Sequence, residues 1–195
     1  MSKGSTTRDR QAASTRAALI RAATARFGVD GYHETTLEAV VADVGVTKGA
    51  AYHHFADKKA LFAAVFVAVQ RRLVIAVARK STDGPAVDRL RNACRTYLDE
   101  CTPSVARIVL LDGPSVLGDV HWHQTENRLW LQALRDLIDN AQRDGRFAPV
   151  DTDLAARVIS AAITELATTA IDHPASSPDI QLVLRATLRG FETSE

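Results

Sequence analysis

Thr47-Lys48-Gly49-Ala50-Ala51-Tyr52-His53-His54 sets a hydroxyl, an ammonium, a phenol and two imidazoles around a centre of glycine and alanine. Thr47, Lys48, Gly49, Ala50 and Ala51 make a slim leading edge. The major groove of B-DNA, about 12 Å wide, admits a helix that leads with such an edge. Tyr52, His53 and His54 then fall at the rim, where phosphate oxygens take most protein hydrogen bonds. The chemistry is recognition of a polyanion and of base edges.

Such a helix must be held rigidly by its neighbours. Gly45 supplies the backbone freedom for a sharp turn. Val40, Val41, Val46 and Phe55 are apolar residues that can bury together and lock one short helix on another. Thr35 or Thr36 caps the first of the pair, with Glu38 suited to its positive end, and Thr47 caps the second. Helix pairs of this kind are common in all-helical proteins and need touch nothing. Exposed Lys48 beside Tyr52, His53 and His54, with basic sequence upstream, tips the reading to DNA.

The chain has 195 residues, 46% hydrophobic and 24% charged, with a formal net charge of +1. Those fractions suit a globular protein rather than a disordered one. The small net charge argues against DNA packaging or bending, which needs broadly basic surface. Charge is uneven, however. Lys3, Arg8, Arg10, Arg16, Arg21 and Arg26 face only Asp9 within the first 26 residues, leaving a slightly acidic remainder. A basic arm on such a body suggests one polyanion-facing end. Met1 to Gln11 is polar, without an apolar signal core, and no uninterrupted apolar run of about 18 residues predicts a membrane span. A cytoplasmic location is expected. Cys94 and Cys101 share one predicted helix, about 10 Å apart along its axis, too far for a mutual disulfide. They read as buried reduced thiols, and Arg95 and Arg107 are too loosely placed to make them redox sensors.

Ala, Leu and Arg are abundant and strand-like alternation does not persist, so the expected class is all-α. Helices are predicted from about 8 to 29, with a stop at Gly31, then from the Thr35/Thr36 cap to Gly45 and from Thr47 to His54. Asp57 caps a long one, whose Leu61, Phe62, Val65, Phe66, Val69, Leu73 and Val77 mark a buried stripe. Ser81 to Pro85 is the clearest interruption. Further helices follow over about 86–101, 104–111 (ended by Asp112-Gly113-Pro114), 120–144, from a Thr152 or Asp151 cap to 171 and, opened by Pro178 or Asp179, to 191. His173-Pro174 separates the last two. No internal repeat is evident.

Residues 16–62 resemble the DNA-binding head of the TetR (tetracycline-repressor-like) family of bacterial regulators. The resemblance rests on Ala22-Ala23, Phe27, Gly31-Tyr32, Thr35-Thr36, Val40 to Ala42, Gly45-Val46-Thr47, Lys48-Gly49, Tyr52-His53-His54-Phe55, Lys58 and Leu61-Phe62. It implies an N-terminal three-helix helix-turn-helix head, residues 1–57, and a larger helical bundle for ligand binding and dimerisation, residues 58–195, joined by a helix from 58 to about 80. It further implies that Tyr52 and His53 contact the DNA backbone, Thr36 and Lys58 each reach a phosphate, and Thr47, Lys48, Gly49 and Ala50 face base edges. Lys48 alone among these has a donor for guanine O6 or N7, worth about 1–3 kcal/mol of discrimination when well made. Ala50 stands where the family often has a hydroxyl residue and Ala51 where it has a larger apolar one. Base preference is therefore not legible.

For the larger half the resemblance implies a small-molecule effector and a homodimer on a palindromic double-stranded operator. Phe66, Tyr97, Leu98, Asp112, His121, Trp122 and Trp130 are the candidate pocket, since aromatics with a few polar groups suit a mostly apolar ligand. Leu154, Val158, Ile159, Ala162, Ile163, Leu166, Leu184 and Leu188 are the candidate dimer surface. No metal or cofactor is expected: His121 and His123, two positions apart on a helix, point about 200° apart. An all-helical enzyme using His121, His123 and Asp112 is the rival, without an identifiable nucleophile and base.

Overall fold

The computed structural model describes residues 7–173 and 177–193; Lys3 of the basic arm and Pro174 lie outside them. Helix α1 (Thr7–Val29) buries Leu19, Ala23 and Phe27 and gives way to Gly31 at φ +83°. The stop expected there is followed at once by a single turn, α2 (Gly31–Glu34). Thr36 caps α3 (Leu37–Val44) by accepting from Ala39 N at 3.2 Å, and Thr47 caps α4 (Lys48–His54) by accepting from Ala50 N at 3.2 Å. Asp57 accepts from Ala60 N at 2.6 Å and starts α5 (Lys58–Lys80). The predicted stripe of α5 is buried throughout, and so is Gln70 within it.

After the break at Ser81 to Pro85 comes α6 (Ala86–Glu100). α7 (Pro103–Ala106) then widens into a π-helical stretch, Arg107–Asp112. Asp112-Gly113-Pro114, expected to end a helix, instead passes into α8 (Gly113–Leu117). Pro114 is accommodated near the helix start, where an absent N–H costs nothing. The predicted helix over 120–144 is three segments: α9 (Asp119–Glu126), a second π-helical stretch (Asn127–Leu131) and α10 (Gln132–Arg143). Asp151 caps α11 (Thr152–Asp172), and α12 (Ser177–Arg189) completes the bundle. Among the described residues the only β pairing is an isolated bridge between Phe147 and Glu192, beside stacked Phe147 and Phe191 rings.

One apolar core runs through the protomer, from Leu19, Phe27 and Phe62 in the head to Trp130, Ile138 and Ile159 in the larger half. α5 belongs to both ends. Its Phe62 ring meets Phe27 edge-on at 5.2 Å, whereas Phe66 lies against Gly113 of the larger half. α5 and α11 are long and apolar enough to cross a membrane. Each instead buries its apolar stripe against helices of its own chain.

The proposed dimer surface divides accordingly. Ile159, Ile163, Leu166, Leu184 and Leu188 are buried in the protomer's own core and are not free to pair subunits; Ala162 is half-buried. Leu154 and Val158 remain exposed, joined by Leu182 and Val183 on α12. Each helix has two apolar stripes, and the inner stripe is the one rich in large aliphatics.

Candidate nucleic-acid interface and sensor interior

The α3–α4 turn is set by Gly45 at φ 71°, whose N–H, with that of Val46, caps carbonyls at the end of α3. Ala51 is fully buried, so it belongs to the packing face of α4 and not to the leading edge. α1 clamps both helices. Arg26 forks onto Asp43 of α3 at 2.5 and 2.8 Å, and the Arg16 guanidinium lies 5.0 Å over the Phe55 ring.

This packing leaves Thr36, Thr47, Lys48, Gly49, Tyr52 and His53 exposed on one connected ridge, with Ala50 and His54 half-buried behind them. Each capping threonine spends an oxygen lone pair on a backbone N–H and keeps its hydroxyl proton to donate outward. A Cβ added at Gly49 would meet nothing within 4 Å, so the surface above it is open. Lys48 reaches across to Glu38 at 2.5 Å, with its ammonium 5.9 Å from the Tyr52 ring centroid. The hydrogen bond between them holds the Glu38 carboxyl below its usual range and raises the Lys48 ammonium. Both side chains are more than half exposed, so solvent screens the pair and a phosphate or base can compete for Lys48.

Lys58 has another orientation from the one expected. Its Nζ donates to the carbonyl oxygens of Tyr32 at 2.9 Å, Thr35 at 3.0 Å and His33 at 3.3 Å, and stacks over the Tyr32 ring. Three carbonyls take the three donors of an ammonium, so the side chain is a clamp on the α2–α3 connection that carries Thr36.

Of the proposed pocket residues, Phe66, Tyr97, Leu98 and Trp130 are buried. The Tyr97 and Trp130 rings pack with centroids 4.2 Å apart, and Trp130 Nε1 donates to Ser160 Oγ, which donates to Glu126 Oε1. Trp122 is half-buried and donates from Nε1 to the Val109 carbonyl in the first π-helical stretch. Asp112 points elsewhere: its Oδ2 accepts from Tyr32 N at 2.9 Å, linking the larger half to the head. His121 is exposed, on a surface groove with Arg16, Ala64 and Arg71, while His123 lies 3.7 Å from Glu126. Asp112, His121 and His123 therefore do not converge on one site. Among the described residues no three His, Cys, Asp or Glu side chains group to hold a metal. Burial pushes the Cys94 and Cys101 thiols up to about 12, which keeps them protonated and unreactive near neutrality.

Sequence reasoning missed Gln70, Glu126 and Ser160. Gln70 carried a signal, being a polar residue inside the spacing Phe66, Val69, Leu73. Glu126 and Ser160 on their amphipathic helices carried none.

A DNA-reading helix held on a small head, and a long helix carrying that head into a larger bundle, define a helix-turn-helix transcription regulator. Residues 19–65 match the family described as "Bacterial regulatory proteins, tetR family", and residues 87–192 match "Tetracyclin repressor-like, C-terminal domain". The HTH-type transcriptional regulator UidR of Escherichia coli K12 is 27% identical over 157 residues, covering 76% of this chain and 78% of its own. A TetR-family transcriptional regulator from Pectobacterium atrosepticum is 30% identical with a TM-score of 0.82, the alignment covering 95% of this chain and 97% of that one. SmeT, solved as its complex with triclosan, is 26% identical with a TM-score of 0.73 over 93% of each chain. The protein belongs to the TetR family of bacterial DNA-binding regulators.

Proposed function

We propose that the protein is a homodimeric repressor that leaves a palindromic operator when a small molecule enters its larger half, acting in the cytoplasm without catalysing a reaction. The observation that carries the reading is the exposed ridge of Thr36, Thr47, Lys48, Gly49, Tyr52 and His53 on a head locked by its own core. Thr47, Lys48, Gly49 and Ala50 face base edges; Thr36, Tyr52, His53 and His54 take phosphates. Residues 1–57 read DNA and residues 58–195 sense and pair, with α5 transmitting between them. The triclosan complex of SmeT supports a small-molecule ligand for the larger half.

Binding-site selection from random duplex DNA tests the reading. A palindromic consensus with half-sites about 34–36 Å apart is expected for a two-fold dimer. Absence of enrichment sinks it. Lys48→Ala should then relax preference at one position of each half-site by about 1–3 kcal/mol, while Tyr52→Phe weakens binding evenly across sequences.

A further inference from the structure

Resting on that effector-release reading, we infer that the effector is an uncharged aromatic molecule of one or two rings, whose hydroxyl or amide group is bound by the buried side-chain amide of Gln70. Gln70 is fully buried on α5, one turn beyond Phe66, yet neither its Oε1 nor its Nε2 completes a hydrogen bond. The Tyr97 hydroxyl lies beside the amide, and this contact lowers the phenol against the upward push of burial, but one hydroxyl serves at most part of an amide that has two donors and an acceptor. Leaving a buried amide unpaired is costly, and replacing it by an apolar group of similar shape removes the cost. A ligand that supplies one donor and one acceptor recovers it.

The surroundings define the rest of the ligand. Phe66, Tyr97 and Trp130 are flat, apolar and buried, which suits an aromatic body. No lysine, arginine or histidine is buried among the described residues, so an anion seated at Gln70 would lie without a buried countercharge, Arg157 being exposed at the surface. Among the described residues Glu126 is the one buried carboxyl; its Oε1 accepts from Ser160, and its Oε2 stands 3.7 Å from the exposed His123. A surface cleft of 310 Å³ lined by Trp122, His123, Glu126, Arg157, Ser160 and Glu165 lies on the Trp130 side of this interior. Ser160 at that cleft bonds Trp130, Trp130 packs on Tyr97, and Tyr97 adjoins Gln70, so packed side chains join the cleft to the amide and the rings must part to admit a ligand. Both π-helical stretches border this interior through Val109 and Trp130, and such widened turns recur at functional sites.

The test uses the full-length protein and three probes sharing one ring system: 2-naphthol, 2-naphthoate and 2-naphthylmethylammonium. Binding is read by titration calorimetry and thermal melting on the wild type, Gln70→Leu and Gln70→Met. Naphthol should bind at least about tenfold tighter than either ion, and both substitutions should cost it about tenfold. The same substitutions should raise the melting temperature of the ligand-free protein, because they remove an unpaired amide. A purely structural glutamine would do the opposite. Preference for either charged probe, no binding of naphthol, unchanged naphthol affinity in both variants, or lower melting temperatures in both overturns the inference. Operator affinity is measured alongside. Gln70-dependent naphthol binding that leaves the operator complex intact supports the site and sinks effector release. Naphthoate binding that releases the operator does the reverse.

Discussion

Lys48 and Lys58 carry the same ammonium ten positions apart, and their surroundings give them opposite work. Lys48 sits over half exposed at the front of α4 with a screened partner, Glu38, that a nucleic acid can displace. Lys58 is half-buried and spends its donors on the carbonyls of Tyr32, His33 and Thr35. Lys58→Met should therefore lower folding stability by about 1–2 kcal/mol, as charged hydrogen bonds on partly exposed backbone do. Urea titration checks this. The salt dependence of operator binding should keep its slope, since a lost phosphate contact would change it by about 0.9 per contact; a shallower slope would return Lys58 to the DNA backbone. Glu126 makes a pH-dependent case. Burial raises its carboxyl above the usual 4.5, outweighing the hydrogen bond from Ser160 and the nearby His123. A carboxyl with a raised folded value favours folding at low pH and loses that contribution as pH rises through the raised value. Glu126→Gln should then melt higher than wild type at pH 7, with the difference vanishing by about pH 4. Equal melting temperatures at pH 7 would mean the charge is fully compensated in place.

Between elements, the decisive contact joins positions 80 apart in sequence: Tyr32 N donates to Asp112 Oδ2. Arg107, at the start of the same π-helical stretch, covers Gly31, where an added Cβ would lie 3.1 Å from its Nη1. The turn that leaves α1 is thus held by the stretch that borders the sensor interior. A change in that stretch, such as a shift from π to α winding, re-aims Asp112. Asp112→Ala should leave effector binding within about twofold while shrinking the effector's influence on operator affinity, because coupling requires an element both sites bias. Measuring operator affinity with and without saturating ligand checks it, and an undiminished ratio would place the coupling elsewhere. This contact also shows where sequence reading ends. Helices begun by Thr47 and Asp57 were legible, and those begun by Thr36 and Asp151 to within one residue, because a cap is a local event. The head's exposed ridge was legible because short helices leave few ways to arrange it. The π-helical stretches left no periodic mark strong enough to read. Asp112 and Lys58 looked like free polar groups until distant backbone came to meet them.

At the scale of the molecule, one head presents one short helix, and the proposed dimer would add affinity by duplication. α11 and α12 each turn a large aliphatic stripe into the protomer core and leave a second, smaller one outside: Leu154 and Val158 on α11, Leu182 and Val183 on α12. A two-fold interface places the same patch on both partners. In the proposed dimer that patch would space the two heads so that the second engages at high effective concentration. The combined variant Val158→Asp with Leu182→Asp should sediment as a monomer, because two-fold pairing brings each new charge into an apolar face on both subunits. Its operator affinity should fall by about a hundredfold or more as the linked second contact is lost, while its helix content and melting remain near wild type. Ile159→Ala offers the opposite signature. It opens a cavity inside the protomer, costing about 2–5 kcal/mol of stability, and at temperatures below its own melting it should remain a dimer. Loss of the dimer in Ile159→Ala with retention in the double aspartate variant would mean that α11 pairs subunits by its inner stripe and that the packed protomer core described above is wrong.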